Sequence, residues 1–426
     1  MNKKRLIILS IDSLIEEDVE ILRGMGNFKE VIEKGSWIKK LESIYPTLTY
    51  PVHTSILTGL YPKDHGIFHN EIMQINVSKQ DWYWQEKYIK AETIIDAAKK
   101  AGLKTAAIGW PVMAGSRADY TIPEIWTKDP NIEMMEVLKD NTTENLLDNV
   151  LKNNYRILKW KKQPNYDEFM ISCSEEIIRT YKPEVVFIHI ALVDAMRHLK
   201  GVHNDSIEEV LRLNDNWLGR IIKATKDIGV YEDTNFIIQG DHGHRDVKKV
   251  ICPNVLLKEK GFINTDENGK IIDYKAYFHS SGLSCQLIIK EGKEELEALV
   301  KEMLEDKTLG IERYFTKEEV IDKFGLDGEF QFVLEGEEGI AFSNSINGKV
   351  IMEPDSDDYK YSKATHGHMP NKGVQPTMLA FGPSIKSGQV FENGKIVDEA
   401  NAFGKLLDID FNPSNGKSIS KILLEE

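Results

Sequence analysis

Short runs of aliphatic and β-branched residues recur along the chain, and between them apolar positions fall three and four residues apart. Segments 6–10 (LIILS), 105–108 (TAAI), 185–190 (VVFIHI), 235–239 (NFIIQ) and 377–381 (TMLAF) read as strands. Several are apolar throughout, as strands are when both faces of a parallel sheet are covered. In SIEEVLRLNDNWLGRIIKAT, Ile207, Val210, Leu211, Asn214, Leu218, Ile221 and Ile222 lie on one helical stripe. In AETIIDAAKKAGLKTAAIG a helix stops at Gly102 and a strand follows at once. Alternation of this kind predicts an α/β fold whose mostly parallel central sheet is flanked by helices.

The pattern changes between about 251 and 360. TDENGKIIDY and NSINGKVIMEP look like hairpins, GKEELEALVKEMLED like a surface helix, and EGEEG and EPDSDDY are acidic loops. The expectation is a core formed by 1–250 and 361–426, interrupted by a smaller α+β subdomain over 251–360. Residues 131–160 read as a helical insertion near the site whose purpose the sequence does not reveal.

Composition narrows the class. With 41% hydrophobic and 29% charged residues over 426 positions, a large core can be buried. A net charge of −14 repels nucleic acid polymers and anionic membrane surfaces at long range. No run of about 18 apolar residues is available to span a bilayer, and the apolar run after Met1–Arg5 is too short for a secretion signal. Cys173, Cys252 and Cys285 cannot form an even disulfide framework and sit in apolar contexts. Buried free thiols and a cytoplasmic location are therefore expected.

Acidic and imidazole groups gather around the predicted strand ends. Asp12 follows LIILS, Asp194 and His198 follow VVFIHI, Asp241 and His242 follow NFIIQ, and THGH precedes TMLAF. In an open parallel sheet the carboxyl ends of the strands border the ligand crevice, so groups far apart in sequence can meet there. Asp194 and His198, four apart in VDAMRH, share a helix face and can chelate one ion, though such a pair is also common on surfaces. Asp241 and His242 are adjacent, and the bracketing Gly240 and Gly243 permit the sharp turn that one shared ion demands. Either His366 or His368 can serve from the last segment. Asp12, Asp194, Asp241, His198, His242 and His366 together suit two borderline divalent ions, zinc first and manganese second. Arg245, Lys248 and Lys249 either attract an anionic substrate or begin a solvated helix.

YPTLTYPVHTSILTGLYPKDHGIFHN, residues 45–70, adds hydroxyls. Pro51 suits the first turn of a helix reaching Gly59, and Thr47, Thr49 or Thr54 can each be an ordinary helix-capping or turn residue. A threonine hydroxyl becomes a competent nucleophile when a bound metal lowers its pKa.

These segments, with ILSID, VDAMRH, GDHGH and THGH in the same order, resemble the type I phosphodiesterase/nucleotide pyrophosphatase family of the alkaline phosphatase superfamily. The resemblance covers roughly 1–250 and 360–426 and implies an alkaline phosphatase-like core. It implies that Thr49 is the nucleophile and that one zinc is held by Asp12, Asp241, His242 and Thr49, the other by Asp194, His198 and His366. Asn70 matches the amide that holds a phosphate oxygen. Tyr50 and Trp110 match substrate-binding aromatics, although Val52 replaces the usual Asn and IGWPVMAGS departs from the family's Trp-Pro-Gly stretch. The implied substrate is a small phosphorylated molecule, nucleotides included. A phosphonoacetate-type C–P hydrolase with the same two zinc sites and a non-catalytic metal-binding relative are the alternatives. Oligomeric state is not legible.

Overall fold

The computed structural model describes residues 4–424, apart from 78, 127–130, 160–161, 356 and 415. Its largest element is an eight-stranded sheet. In chain order the strands are β1 (Arg5–Ile11), β2 (Ser36–Glu42), β3 (Thr105–Ile108), β4 (Tyr120–Ile122), β5 (Val185–Ile190), β6 (Thr234–Gln239), β7 (Met378–Phe381) and β8 (Gln389–Lys395). Their spatial order is β8-β2-β7-β6-β1-β5-β3-β4. Neighbours pair in parallel except at β7, which is antiparallel to both β2 and β6. The sheet is thus mostly parallel, as its apolar strands predict.

The period of two along these strands distributes each between two cores. Ile7, Leu9 and Ile11 of β1 join one apolar cluster and Leu6 and Ile8 the other; Val186 and Ile188 oppose Val185 and Phe187 in β5 in the same way. The first cluster is closed by α3 (Asn165–Tyr181) and α5 (Ile207–Asp227), the second by α1 (Thr49–Thr58), α2 (Ile94–Lys100) and α7 (Glu399–Leu407). Every position on the predicted stripe of α5 is buried. Thr93 caps α2 by accepting from the Asp96 amide, and Gly102 follows the helix with φ +77°.

As expected, residues 131–160 are largely helical: helix Met134–Asn141 is followed by consecutive short helical elements from Glu144–Leu146 to Tyr155–Ile157; Met134, Leu138, Leu146, Val150 and Leu151 pack into the first cluster, and residue 160 itself lies outside the described residues. Between 251 and 360 the chain leaves the large sheet. Ala276–Ser280, Ser284–Ile289, Phe332–Gly336 and Ile311–Thr316 make a separate antiparallel sheet, with α6 (Lys293–Glu305) packed on it through Leu296, Leu299, Val300 and Met303. TDENGKIIDY is indeed a hairpin, Ile263–Thr265 pairing with Ile271–Tyr274. NSINGKVIMEP is not. The strand before it, Ile340–Phe342, and the strand within it, Ile351–Met352, lie on opposite sides of Lys249–Ile251, because that third strand intervenes and supplies the hydrogen bonds of both.

The smaller sheet meets the core through Glu335, which is fully buried. Its carboxylate accepts from the Tyr45 hydroxyl (3.0 Å) and the Met369 amide (3.2 Å) and lies 3.1 Å from Lys372 Nζ, an amine shared with Glu312. Burial pushes the Glu335 carboxyl up to about 7, with Lys372 pulling the other way. A folded-state pKa above the unfolded value means the native state holds the proton more tightly. This contribution is complete below the unfolded pKa and lost as pH rises through about 7. The expected result is that Glu335→Gln, which keeps the neutral shape, gains up to about 3 kcal/mol relative to the parent chain between pH 4.5 and 7.5. Urea unfolding of both chains at several pH values measures it, and parallel stability profiles would refute it.

Candidate functional site

Three adjacent strands, β6, β1 and β5, end on the same edge of the sheet, and the acids follow directly from them. Asp12 is the first residue after β1, Asp241 lies two residues past β6, and α4 (Leu192–Lys200), which follows β5, carries Asp194 and His198 on one face. Antiparallel β7 begins where its parallel neighbours end, so the loop leading into it returns His366 to this edge. Ligand atoms of Asp12, Asp241 and His242 fall within 4.8 Å of one another, and so do those of Asp194, His198, His244 and His366. The two groups touch: the rings of His242 and His366 stack at 3.8 Å between centroids.

The turn after β6 depends on close approach rather than on unusual dihedrals. Neither Gly240 nor Gly243 adopts a left-handed φ. A Cβ on Gly240 would sit 2.0 Å from the Leu14 carbonyl oxygen, and one on Gly243 would sit 2.2 Å from that of Val374. The glycines let the loop press against the segment after Asp12, and Asp241 Oδ1 then accepts from the Ser13 amide at 3.0 Å.

Each candidate hydroxyl has a definite orientation. Thr54 Oγ1 donates to the Tyr50 carbonyl, and Thr47 Oγ1 accepts from the Gly367 amide. Helix α1 begins at Thr49 with Leu48 at its N-cap and no side-chain capping bond, so Thr49 is not spent as a cap. Its Oγ1 lies 3.2 Å from His242 Nε2 instead. Asn70 Oδ1 accepts from the Tyr50 amide at 2.9 Å, while its buried Nδ2 has no hydrogen-bond partner. With that amide used and Pro51 lacking an N–H, the first turn of α1 offers fewer donors than a free helix start would.

The imidazoles are oriented from behind. His198 Nδ1 and His366 Nδ1 lie 2.8 Å from the Ala364 and Thr47 carbonyl oxygens, which accept only, so each Nδ1 carries the proton and each Nε2 turns its lone pair to the site. His189 Nε2 sits 3.2 Å from Asp12 Oδ2, and His53, bonded to the Thr49 carbonyl through Nδ1, lies 3.6 Å from Asp241 Oδ2. Asp12 Oδ1, Asp194 Oδ1, Asp241 Oδ2 and His244 Nε2 are buried without hydrogen-bond partners. Buried polar atoms are seldom left so, and all four belong to residues of the two ligand groups.

The electrostatics agree. Burial, then the charges of Asp194 and Asp241, hold the Asp12 carboxyl well above its usual range. Asp241 is pushed up to about 7, chiefly by burial. Burial would also raise Asp194, but the His198 imidazole beside it reverses the direction. Burial lowers His366 to about 4 and keeps it a neutral donor. Against burial, Asp194 in turn raises His198, whereas burial lowers His242, His244 and His366. Buried acids that repel one another beside imidazoles held neutral by burial, with orphaned oxygens among them, fit divalent cations.

The remaining predicted residues divide. His368 is not in the site: it is buried beside Thr47. Tyr50 is fully buried, edge-on to Trp82 at 5.0 Å, and so is Trp110, edge-on to His53 at 4.9 Å and Phe187 at 4.9 Å. Trp110 therefore supports His53 from within the second core and has no surface to offer a substrate. Arg245 belongs to a short strand, Arg245–Asp246, paired with Ala364–Thr365, and not to a helix start. Sequence reasoning missed His244, although it stands in the same GDHGH segment, and missed Trp82 and Tyr359. Tyr359 is edge-on to His198 at 5.7 Å and 5.4 Å from Trp82, and nothing in its local sequence marks it.

A third group of possible ligands, His69, Glu71 and His279, is already compensated. Lys360 Nζ lies 2.8 Å from Glu71 Oε1, and both His69 nitrogens are bonded, Nδ1 to the Glu71 amide and Nε2 to the Ser280 carbonyl. That is an ion-pair network in which the Lys360 ammonium already balances the Glu71 charge.

Fold and site together define an α/β protein of the alkaline phosphatase-like class. Murine ectonucleotide pyrophosphatase/phosphodiesterase 5 aligns over 99% of this chain and all of its own, with TM-score 0.70 and 18% identity; a second structure, an inactive variant in complex with AMP, gives 0.69. The family described as type I phosphodiesterase/nucleotide pyrophosphatase matches residues 6–369, and the chain belongs to it. Human ectonucleotide pyrophosphatase/phosphodiesterase family member 1 is 24% identical over 93% of this chain, and venom phosphodiesterase 2 of Crotalus adamanteus 22% over 92%. The chain spans 39% and 44% of the lengths of those two relatives. Proteins with such names are hydrolases. No described helix is long and apolar enough to cross a membrane.

Proposed function

We propose that this chain hydrolyses small phosphodiesters, nucleotide derivatives among them, with Thr49 as the nucleophile. The observation that carries the proposal is the direction of Thr49 Oγ1, which faces His242 Nε2 while Thr47 and Thr54 are engaged elsewhere. Asp12, Asp241, His242 and Thr49 would hold one divalent ion and Asp194, His198 and His366 a second, zinc first and manganese next by their donor types. Such ions, when bound, lower the pKa of an alcohol and offset the charge that builds on phosphorus.

The chain's own residues then do the following. Thr49 Oγ, having given up its proton, forms a bond to phosphorus as the bond to the leaving alkoxide breaks in line, and the alkoxide departs as the alcohol with a proton. Water repeats the displacement from the opposite side, its hydroxide going to phosphorus and its proton returning to Thr49 Oγ. Asn70, held by the Tyr50 amide, directs its unpartnered Nδ2 at a non-bridging oxygen. Trp82 and Tyr359 give an aromatic leaving group a wall beside His198. A relative bound to AMP supports a nucleotide in this role. The division into a catalytic core (1–250, 361–426) and an inserted unit (251–360) belongs to the same proposal. So does a cytoplasmic location, for which the three buried, unpaired cysteines speak.

Assays of bis-nitrophenyl phosphate, a nitrophenyl nucleotide and phosphonoacetate, before and after chelation and metal return, test this. Turnover of the diesters, lost with the metal and restored by it, is expected. Turnover of phosphonoacetate alone would transfer the site to C–P cleavage, and no turnover with both metals loaded would leave a binding protein.

A further inference from the structure

The short ladder between Arg245–Asp246 and Ala364–Thr365 has a consequence one residue beyond its end. Asp246 pairs with Ala364 and Arg245 with Thr365, so the same antiparallel register brings His244 opposite His366. The His244 ring is 5.1 Å from that of His366 and 4.5 Å from that of His198, edge-on to both. Its Nε2 is 3.2 Å from Asp194 Oδ1, the oxygen that His198 Nε2 and His366 Nε2 also approach, at 3.4 and 3.9 Å.

At 3.2 Å a hydrogen bond from His244 to Asp194 would be the ordinary interpretation, but the directions do not allow it. Both His244 Nε2 and Asp194 Oδ1 remain without a hydrogen-bond partner, although both atoms are buried. With ligand atoms of His198 and His366, atoms of these two residues fall within 4.8 Å of one another, as ligands of one ion do. The other nitrogen supplies the orientation: His244 Nδ1 is 2.8 Å from Ser13 Oγ, and that hydroxyl is itself held by Arg197 Nη1 at 3.3 Å.

We propose that His244 Nε2 is a fourth protein ligand of the Asp194 centre, so that three imidazoles and one carboxylate hold the ion there. Nδ1–H donates to Ser13 Oγ, which leaves the Nε2 lone pair for the metal. The inference rests on the reading that Asp194, His198 and His366 bind an ion, but not on any turnover. Four protein donors complete a tetrahedron, so a substrate or water oxygen joins this centre as a fifth donor rather than filling an open position. The nitrogen-rich set selects for borderline ions such as Zn2+ and Co2+ over Mg2+ or Ca2+.

Titration of the metal-free protein with Co2+, followed by its visible absorption, tests this without any substrate. The unaltered chain is expected to take up two equivalents. In His244→Ala and His244→Gln one equivalent is expected to bind as before, while the other weakens by about ten- to a hundredfold and its absorption bands change in position and intensity. Two equivalents with unaltered affinity and superimposable spectra in a folded variant would overturn the proposal. Should both variants fail to fold, a Co2+-loaded crystal of the unaltered chain decides: His244 Nε2 at about 2.0–2.1 Å from the ion supports it, and a clearly longer separation refutes it. Loss of diesterase activity alone leaves both readouts intact, so the two proposals fail separately.

Discussion

Thr49→Ala is expected to lower phosphodiester turnover by about ten-thousandfold or more while the protein stays folded and loads metal. Nucleophile replacements in enzymes with a covalent intermediate have effects of this order, because the residual rate comes only from binding and charge stabilisation. The side chain is small, and its hydroxyl caps no helix, so stability should change little. Thr49→Ser, which keeps the oxygen, should retain measurable turnover. Steady-state kinetics with metal content determined on the same samples makes the comparison; a rate near that of the parent chain in the alanine variant would remove Thr49 from the chemistry.

Arg197→Met should cost about 3–5 kcal/mol of stability, the effect of stripping one partner from a buried ion pair. Arg197 lies between the two site residues of α4 and is 1% exposed. Its Nη2 meets both oxygens of Asp18 at 2.7 and 2.9 Å, Nε donates to the Val202 carbonyl, and Nη1 donates to the Ser13 carbonyl. One guanidinium thereby ties α4 to the residue after Asp12, and its loss leaves the buried Asp18 with the Ile15 amide but no counter-charge. Replacing Asp18 by Leu in the same chain should recover most of the loss, since a paired apolar substitution has no stranded charge. Urea unfolding of the two single variants and the double variant measures the coupling, and losses under about 1 kcal/mol in the Met variant would show that Arg197 is an ordinary surface-type contact.

These two residues mark how far local sequence carries. Asp12, Asp194 and Asp241 were legible because buried strands are apolar runs, and a carboxylate just after such a run has few places to go in a parallel sheet. The stripe of α5 was legible for the same reason, since period and burial are linked residue by residue. Arg197 was not. It sits in VDAMRH beside two candidate ligands, and only the position of Asp18 across the fold reveals it as structural. Trp110 failed in the opposite sense: its motif suggested a substrate contact, yet the turn after β3 buries it against His53. NSINGKVIMEP has hairpin chemistry, but Lys249–Ile251 intervenes between its strand Ile351–Met352 and the preceding Ile340–Phe342.

What the chain by itself determined was the alternation of strand and helix, the two-sided burial of the sheet, and the supply of oxygen and nitrogen donors at strand ends. These follow from periodicity and residue chemistry, which act over a few positions. Tertiary structure alone decided which threonine turns inward and that His244, not His368, stands with Asp194. It also decided that the cluster of His69, Glu71 and His279 already has its cation in Lys360. Each of those outcomes depends on a register or a partner contributed from more than a hundred residues away, and no local pattern encodes that distance.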